Sequence, residues 1–386
     1  ADCTVVLLGL LSETRGDART NFENVDRRAG SELLTFIECD DTATWQQLPE
    51  LNQNYDLIVD ALFGTGLKRP VDGVYREVIE HLSSLRELRE HADEDRPLFF
   101  SVDVPSGLNA DLIEPIGPVV KADLTVTFTA PKLANVLPPA SDLCGELIVG
   151  DIGSPRSLID EVARPSLFVT EANEVKQWLR STRYVPGSYK NTHGNVLIAA
   201  GSRGYAGAAA LCGNAAMCSG AGLVTVATPA SVQPLVASGA MPEVMTTALA
   251  ETDRGAISDE AVDHFLKLTE KKGTVVAVGP GLTSDHERTR RFVFRIVVRR
   301  STSCVIDADG LNCLAPWPKG LTGSAEHPLV LTPHPGEMAR LLGGAEIKDR
   351  VAVARDFATK NQVIVVLKGS RSIVAAPDGR VFVNPT

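Results

Sequence analysis

The sequence predicts an α/β fold in two domains, on three observations. Short runs of Val, Ile and Leu alternate with polar stretches of helix length. The runs are apolar throughout, as in strands covered on both faces of a parallel sheet. And 386 residues exceed one ordinary domain, for which roughly 100–200 is usual.

The elements follow in order. Residues 4–9, 33–39, 56–60, 98–103 and 124–128 read as strands, and 73–91 as a helix with apolar residues at helical spacing. This first half is expected to be doubly wound. Between Pro155 and Gly194 the pattern breaks into Pro, Gly and Ser around one short helix, 171–181. We place the boundary near Pro165, giving domains 1–164 and 165–386. Strands then resume at 195–200, 223–228, 274–278, 304–307, 329–332 and 363–368, with a small-residue helix at 206–220. The last stretch, "VLKGSRSIVAAPDGRVFVNPT", reads as a strand, a Lys-Gly-Ser turn and a hairpin through Asp378 and Gly379.

Composition sets limits. Apolar residues make up 44% and charged residues 22%, which is ordinary for a globular protein. A net charge of −10 without a basic block argues against non-specific nucleic-acid binding. The seven cysteines are scattered, odd in number and form no C-x-x-C, against a disulfide framework or structural zinc. A reducing cytoplasm is the expected setting. No apolar run is long enough to span a bilayer, so no membrane partner is expected. The chain opens on Ala1 rather than Met, directly into a core strand, and we expect residues before it to be missing.

In the first half, Asp60 ends an apolar strand in "VDALFGTGLKRPVDG". Ligands of open α/β sheets sit beyond such strand ends. Gly64 and Gly66 permit close backbone approach, and Lys68 and Arg69 reach toward an anion; a tight turn with surface basic residues reads equally well. "FFSVDVPSG" repeats the arrangement with Asp103 and Ser106. Asp103 there is a base, a metal ligand or a helix cap. Asp60 and the Ser106 hydroxyl suit a hard cation.

"VDALFGTGL", "SVDVPSGLNAD", "KADLTVTFTAPK" and "GELIVGDIG" resemble the NAD(P)H-hydrate epimerase family, the YjeF N-terminal domain. The resemblance implies a Rossmann-like fold and interconversion of the R and S forms of hydrated NADH or NADPH. It implies that Asp60 and Ser106 hold a potassium ion. It makes Gly64, Thr65, Gly66, Leu67, Lys68, Arg69 and Pro70 line the hydrated-nicotinamide site. Asp103 becomes the substrate-binding acid or base. The family's Asn-Asn-Gly-Gly-Asp loop is expected before Thr4, and "LIEPIG" stands where the family often has Asp-Thr-Gly.

In the second half, a Gly-Ser-Arg-Gly turn opens the small-residue helix in "GNVLIAAGSRGYAGAAALCGNAAMCSGAGLVTVATP". Backbone N–H groups at such a start attract anions, and tight packing on a sheet explains the small residues equally well. "VGPGL", "VIDADGLN" and "LTPHPGEMARLL" each follow an apolar strand, so three polar loops outline one crevice. His334 lies between two prolines that limit its drift. Asp307 and Asp309 read as acid/base or metal-associated groups, or as a cap for the next helix. Lys368, Gly369 and Ser370 supply a cation, a flexible turn and N–H donors, which suit nucleotide phosphates.

With "YKNTHGNVLIAAGSRGYAGAA", "MPEVM" and "VLKGSRSIVAAPDG", these loops resemble the ADP-dependent NAD(P)H-hydrate dehydratase family. Its fold is ribokinase-like. The two domains in this order resemble the bifunctional NAD(P)H-hydrate repair family. That implies dehydration of the S-hydrate at the expense of ADP, giving NAD(P)H, AMP and phosphate. By the same resemblance Ala208, Gly281 and His334 contact the hydrate. Lys368, Gly369, Ser370, Arg371 and Ser372 contact the nucleotide, Mg2+ accompanies it, and the protein is a homo-oligomer. The dehydratase Asp, in a Gly-Thr-Gly-Asp turn, is expected beyond Thr386. Two alternatives stand beside this reading: a ribokinase-like kinase of vitamin precursors, and a non-enzymatic interaction module of the kind found in RNA-decapping scaffolds.

Overall fold

Parallel strands form both halves of the protein, in a computed structural model that describes residues 2–30, 33–90, 97–163 and 166–386. The chain divides into two units, Ala1–Arg164 and Pro165–Thr386. Pro165, at which the sequence placed the boundary, and the expected helix end at His91 lie outside the described residues.

The first unit runs β1 (Cys3–Leu8), α1 (Gly16–Asp26), β2 (Leu34–Cys39), α2 (Thr42–Gln46), β3 (Leu57–Asp60), α3 (Gly73–Glu90), β4 (Leu98–Val102), β5 (Leu124–Phe128), α4 (Leu133–Val136), β6 (Glu146–Gly150) and α5 (Arg156–Ala163). Its strands make two sheets, β1-β2 and β3-β4-β5-β6, each parallel. This corrects the expectation of one sheet covered on both faces. β1 and β3 do not pair. An apolar cleft of about 200 Å³ lies between them, lined by Val6, Leu8, Ile58, Asp60 and Leu82 among others. Leu57 and Val59 therefore stay half exposed although their run is apolar.

One buried ion pair fastens α3 to this sheet. Arg86 donates to Asp123 Oδ1 at 2.6 Å and to the Lys121 carbonyl at 2.9 Å, while Asp123 Oδ2 accepts from the Phe99 N–H at 2.9 Å. The guanidinium also lies over the Phe99 ring. Asp123→Ala is expected to lower the stability of the first unit by about 3 kcal/mol, because it removes a close carboxylate from a nearly buried guanidinium and an acceptor from the Phe99 N–H. A urea melt showing a shift of under ~0.5 kcal/mol, the scale of an ordinary surface substitution, contradicts this.

The second unit adds β7 (Leu167–Val169), α6 (Ala172–Ser181), β8 (Asn195–Ala199), α7 (Ala206–Cys218), β9 (Leu223–Pro229), α8 (Gln233–Gly239), β10 (Met245–Leu249), α9 (Val262–Leu268), β11 (Thr274–Val278), α10 (Glu287–Val298), β12 (Cys304–Ile306), α11 (Asp309–Cys313), β13 (Leu329–Leu331), α12 (Pro335–Leu341), α13 (Arg350–Asn361), β14 (Ile364–Leu367), β15 (Ile373–Ala375) and β16 (Val381–Val383). They form one sheet in the order β10-β9-β8-β11-β12-β13-β14-β15-β16-β7. The expected hairpin joins β15 to β16, and its pairings on β14 and β16 are the antiparallel ones. The small residues of α7 have a packing cause: a Cβ at Gly213 would lie 2.9 Å from side-chain atoms of Val226 and of Val244. On α10, Phe292 and Val297 are fully buried, and Phe292 meets Phe265 edge to face.

Candidate functional sites

In the first unit, parallel pairing sets Asp60 beside Ser101 at the ends of β3 and β4. Asp60 is 2% exposed. Its Oδ2 accepts from the Ser101 hydroxyl at 2.9 Å and from the Ser106 N–H at 2.8 Å. The Ser106 oxygen accepts from the Phe63 N–H at 3.0 Å. The structure thus brings Asp60 and Ser106 together at the root of the glycine loop. A buried carboxylate met only by neutral donors, with no ion pair among the described residues, is a costly arrangement without a cation. The donor set therefore fits a hard cation.

Asp103 follows β4 and is the first residue of the turn. It holds a positive φ of 70°, which strains a residue with a Cβ. Its Oδ1 accepts from Lys132 Nζ at 2.6 Å and from the Thr127 hydroxyl at 3.0 Å. Burial alone would raise this carboxyl, but the hydrogen bonds from Lys132 and Thr127 and the Lys132 charge hold it below the usual carboxylate range. Asp103 Oδ2 faces the loop, 3.2 Å from where a Cβ at Gly64 would stand. Thr65, Gly66, Lys68, Arg69 and Pro70 are exposed on that loop. Leu67 differs: it is buried with Ile79, Phe99 and Val120, and so anchors the loop in the core.

In the second unit the named residues meet at the carboxyl ends of five neighbouring strands, β8, β11, β12, β13 and β14. Gly281, beyond β11, is packed on α7: a Cβ there would lie 2.9 Å from Tyr205 Cβ and 3.0 Å from Ala208 Cβ. The Ser202 hydroxyl donates to the Gly281 carbonyl at 2.7 Å. Beyond β12, Asp307 pairs with Lys368 Nζ at 2.7 Å. The Lys368 N–H donates to the Pro333 carbonyl at 2.8 Å, which ties the β14 end to the loop of His334.

The expected cap by Asp307 or Asp309 is replaced by other contacts. Asp309 lies inside the first turn of α11, where it accepts from the Thr283 N–H and from Asn312. Asp307 is held by Lys368. His334 caps α12: its Nδ1 accepts from the N–H groups of Gly336 at 3.0 Å and Glu337 at 3.4 Å. The ring proton is thereby placed on Nε2.

Ser370, Arg371 and Ser372 form the turn after Lys368. Arg350 pins it by donating to the Ser370 carbonyl at 2.9 Å and, more weakly, to that of Arg371. Sequence reading missed Arg350, Lys132, Thr127, Ser101 and Tyr205. Each acts from a neighbouring strand, loop or helix start distant in sequence, and no local pattern marks it. Backbone strain gave a further signal. Among the described residues, the positive φ values of Asp103, Thr283, Ala308 and Arg371 fall in these strand-end loops, and Thr129 and Gln362 are the other non-glycine cases.

Fold and sites together define an α/β protein with polar and charged residues gathered at the strand ends of each unit. Sequence comparison places it more closely. Residues 196–386 match the family described as NAD(P)H-hydrate dehydratase, and residues 1–134 match YjeF-related protein N-terminus. Bifunctional NAD(P)H-hydrate repair enzymes of Moorella thermoacetica and Thermofilum pendens are 40% and 37% identical to it; in both cases the match takes in 100% of this chain and 69% of the relative. That of Escherichia coli is 36% identical, over 84% of this chain and 58% of its own length. The chain belongs to the bifunctional NAD(P)H-hydrate repair enzyme family, as its motifs imply. Among solved structures, the Bacillus subtilis ADP/ATP-dependent NAD(P)H-hydrate dehydratase, co-crystallised with ATP and Mg2+, is 31% identical, over 55% of this chain and 71% of that one, with a TM-score of 0.44. Among the described residues no helix is long and apolar enough to cross a membrane.

Proposed function

We propose that the chain repairs hydrated NADH and NADPH, with epimerisation in the first unit and ADP-dependent dehydration in the second. Asp103 is the acid/base of the first step, and the exposed part of the loop at residues 64–70 holds the hydrated ring. Water adds to an enamine with its hydroxyl on the carbon bonded to nitrogen. A carboxylate at that hydroxyl can take its proton, the carbon–nitrogen bond opens to an aldehyde, and the nitrogen is protonated. Closure on the other face gives the other epimer. Asp60 and Ser106 would hold a potassium ion, which supplies positive charge near the substrate's anionic groups.

In the second unit, Ala208, Gly281 and the His334 Nε2–H contact the hydrate, and residues 368–372 grip the diphosphate. α7 has no side-chain cap; the Ala208 N–H donates to the Tyr205 carbonyl at 3.2 Å, which leaves those of Ala206 and Gly207 for an anion. Lys368 adds a cation at the end of β14, beside Asp307. Magnesium bound to the nucleotide would be held by its phosphates and by Asp307. Phosphoryl transfer from ADP to the hydroxyl, then loss of phosphate, depends on this positioning. One observation carries the reading: the meeting of Ala208, Gly281, Asp307, His334 and Lys368 along a single row of strand ends. A cytoplasmic setting suits the seven cysteines, none of which forms a disulfide. The homo-oligomer rests on the family resemblance alone.

The test follows R- and S-hydrates of NADH incubated with the whole gene product. Interconversion without ADP, and return of nicotinamide absorbance only with ADP, is the expected result. Neither reaction, or a gain of phosphorylated vitamin precursor instead, contradicts it.

A further inference from the structure

From the Asp103 cluster we infer that Oδ2 of Asp103 is the reacting oxygen and that Lys132 is the positioning residue that fixes it. The inference rests on the epimerase reading and goes one step inside it.

The two carboxylate oxygens are not equivalent. Both side-chain hydrogen bonds fall on Oδ1, from Lys132 at 2.6 Å and from Thr127 at 3.0 Å. Oδ2 faces the Gly64 backbone, where only the missing Cβ leaves room. Lys132 Nζ has three protons and three acceptors: Asp103 Oδ1, the Thr127 hydroxyl at 2.7 Å and the Phe128 carbonyl at 3.0 Å. Its donors are saturated, and its side chain is 19% exposed. It has none left for substrate, so it acts through Asp103.

The chain has built this clamp at a cost. Asp103 is held at φ 70°, and its own carbonyl accepts from Asn135, the third residue of the helix that Lys132 precedes. A strained residue tied at backbone and side chain is overdetermined in the manner of a working site. During the reaction Oδ2 takes the hydroxyl proton. The oxygen lone pair forms the carbonyl, and the carbon–nitrogen electron pair goes to nitrogen, which takes a proton from water. The ammonium beside Oδ1 keeps the carboxyl acidic, so on reclosure its proton goes to the aldehyde oxygen while the nitrogen lone pair bonds the carbonyl carbon and the nitrogen returns its proton to the hydroxide left from water. Lys132 is unchanged throughout.

The test measures steady-state epimerisation by the whole gene product and three variants. Lys132→Ala is expected to lose roughly 100-fold in kcat, the scale of a lost acid–base contribution, with KM moved less than about threefold. Lys132→Arg retains the charge and recovers part of the loss. Added methylammonium is expected to raise the rate of Lys132→Ala and not of wild type. Thr127→Val, which removes one Oδ1 partner, loses less than Lys132→Ala. Because Lys132→Ala risks a folding defect, amine rescue is the deciding readout: a misfolded loop does not recover with a small cation. An active wild type whose Lys132→Ala variant keeps full kcat, or whose loss no amine or Arg repairs, overturns the inference alone. A wild type that leaves the R/S ratio unmoved overturns the epimerase reading and this inference with it.

Discussion

Asp103→Asn is expected to slow interconversion of the hydrate epimers by roughly 10²–10⁴-fold, the usual contribution of a positioned acid/base. The amide keeps the shape and can still accept from Lys132 and Thr127 through its own oxygen. What it loses is the ability to take a proton at the position of Oδ2. A second consequence concerns stability. The paired carboxyl has its pKa depressed in the folded protein. Such a group adds stability above the unfolded carboxylate range, and that stability disappears as pH falls through the folded value. Asp103→Asn removes it at neutral pH, so the variant's melting temperature falls near pH 7 and converges on wild type in acid. ADP-driven conversion of the S-hydrate by the same variant provides the internal control. A rate of epimer exchange within threefold of wild type, on protein that melts cooperatively, would falsify the assignment of Asp103.

How far the sequence announced these features depends on whether their cause is local. Asp60, Asp103, Asp307 and Lys368 were legible because each closes a strand with a turn directly behind it. The strand-end rule turns a one-dimensional pattern into a three-dimensional address. Lys132 was not, because a lysine 29 residues from Asp103 becomes its partner only when β5 is laid beside β4. Arg350 reaches the Lys-Gly-Ser turn from the start of α13 in the same way. Leu67 was misleading for the opposite reason. It lies inside the loop that the family resemblance assigns to substrate, yet its side chain belongs to the core, since a loop that must hold a shape needs an anchor. The strands β6, β7 and β10 were not read as strands; Thr246 and Thr247 make β10 read as polar. The separation of β1 from β3 left no trace either, because a strand's apolar run does not say which neighbour it pairs with.

Gly279→Ala is expected to cost the second unit more than about 4 kcal/mol and to abolish binding of ADP together. Two causes stack at this position. Its φ is +135°, a conformation that only glycine adopts readily. A Cβ there would also stand 1.7 Å from the Asp307 carbonyl oxygen and 2.9 Å from the Gly310 nitrogen. Neither obstacle is a flexible side chain that can turn aside. Gly310 faces back in the same way, with its own missing Cβ 2.8 Å from the Val278 carbonyl oxygen. The backbones leaving β11 and β12 therefore touch, and the glycines of "VGPGL" and "DADGLN" are one contact seen from two sides. Because Asp307 carries the ion pair to Lys368, pushing its carbonyl away moves the carboxylate that orients the lysine. Fold and ligand grip fail from one methyl group. Gly207→Ala supplies the contrast. It lies in α7 with nothing within 4 Å of its missing Cβ, and is expected to gain about 0.5–1 kcal/mol. Urea denaturation and calorimetric ADP titration of both variants check the pair. If Gly279→Ala melts and binds like wild type, the two strand ends are not in backbone contact, and the single crevice assembled from β8 to β14 fails.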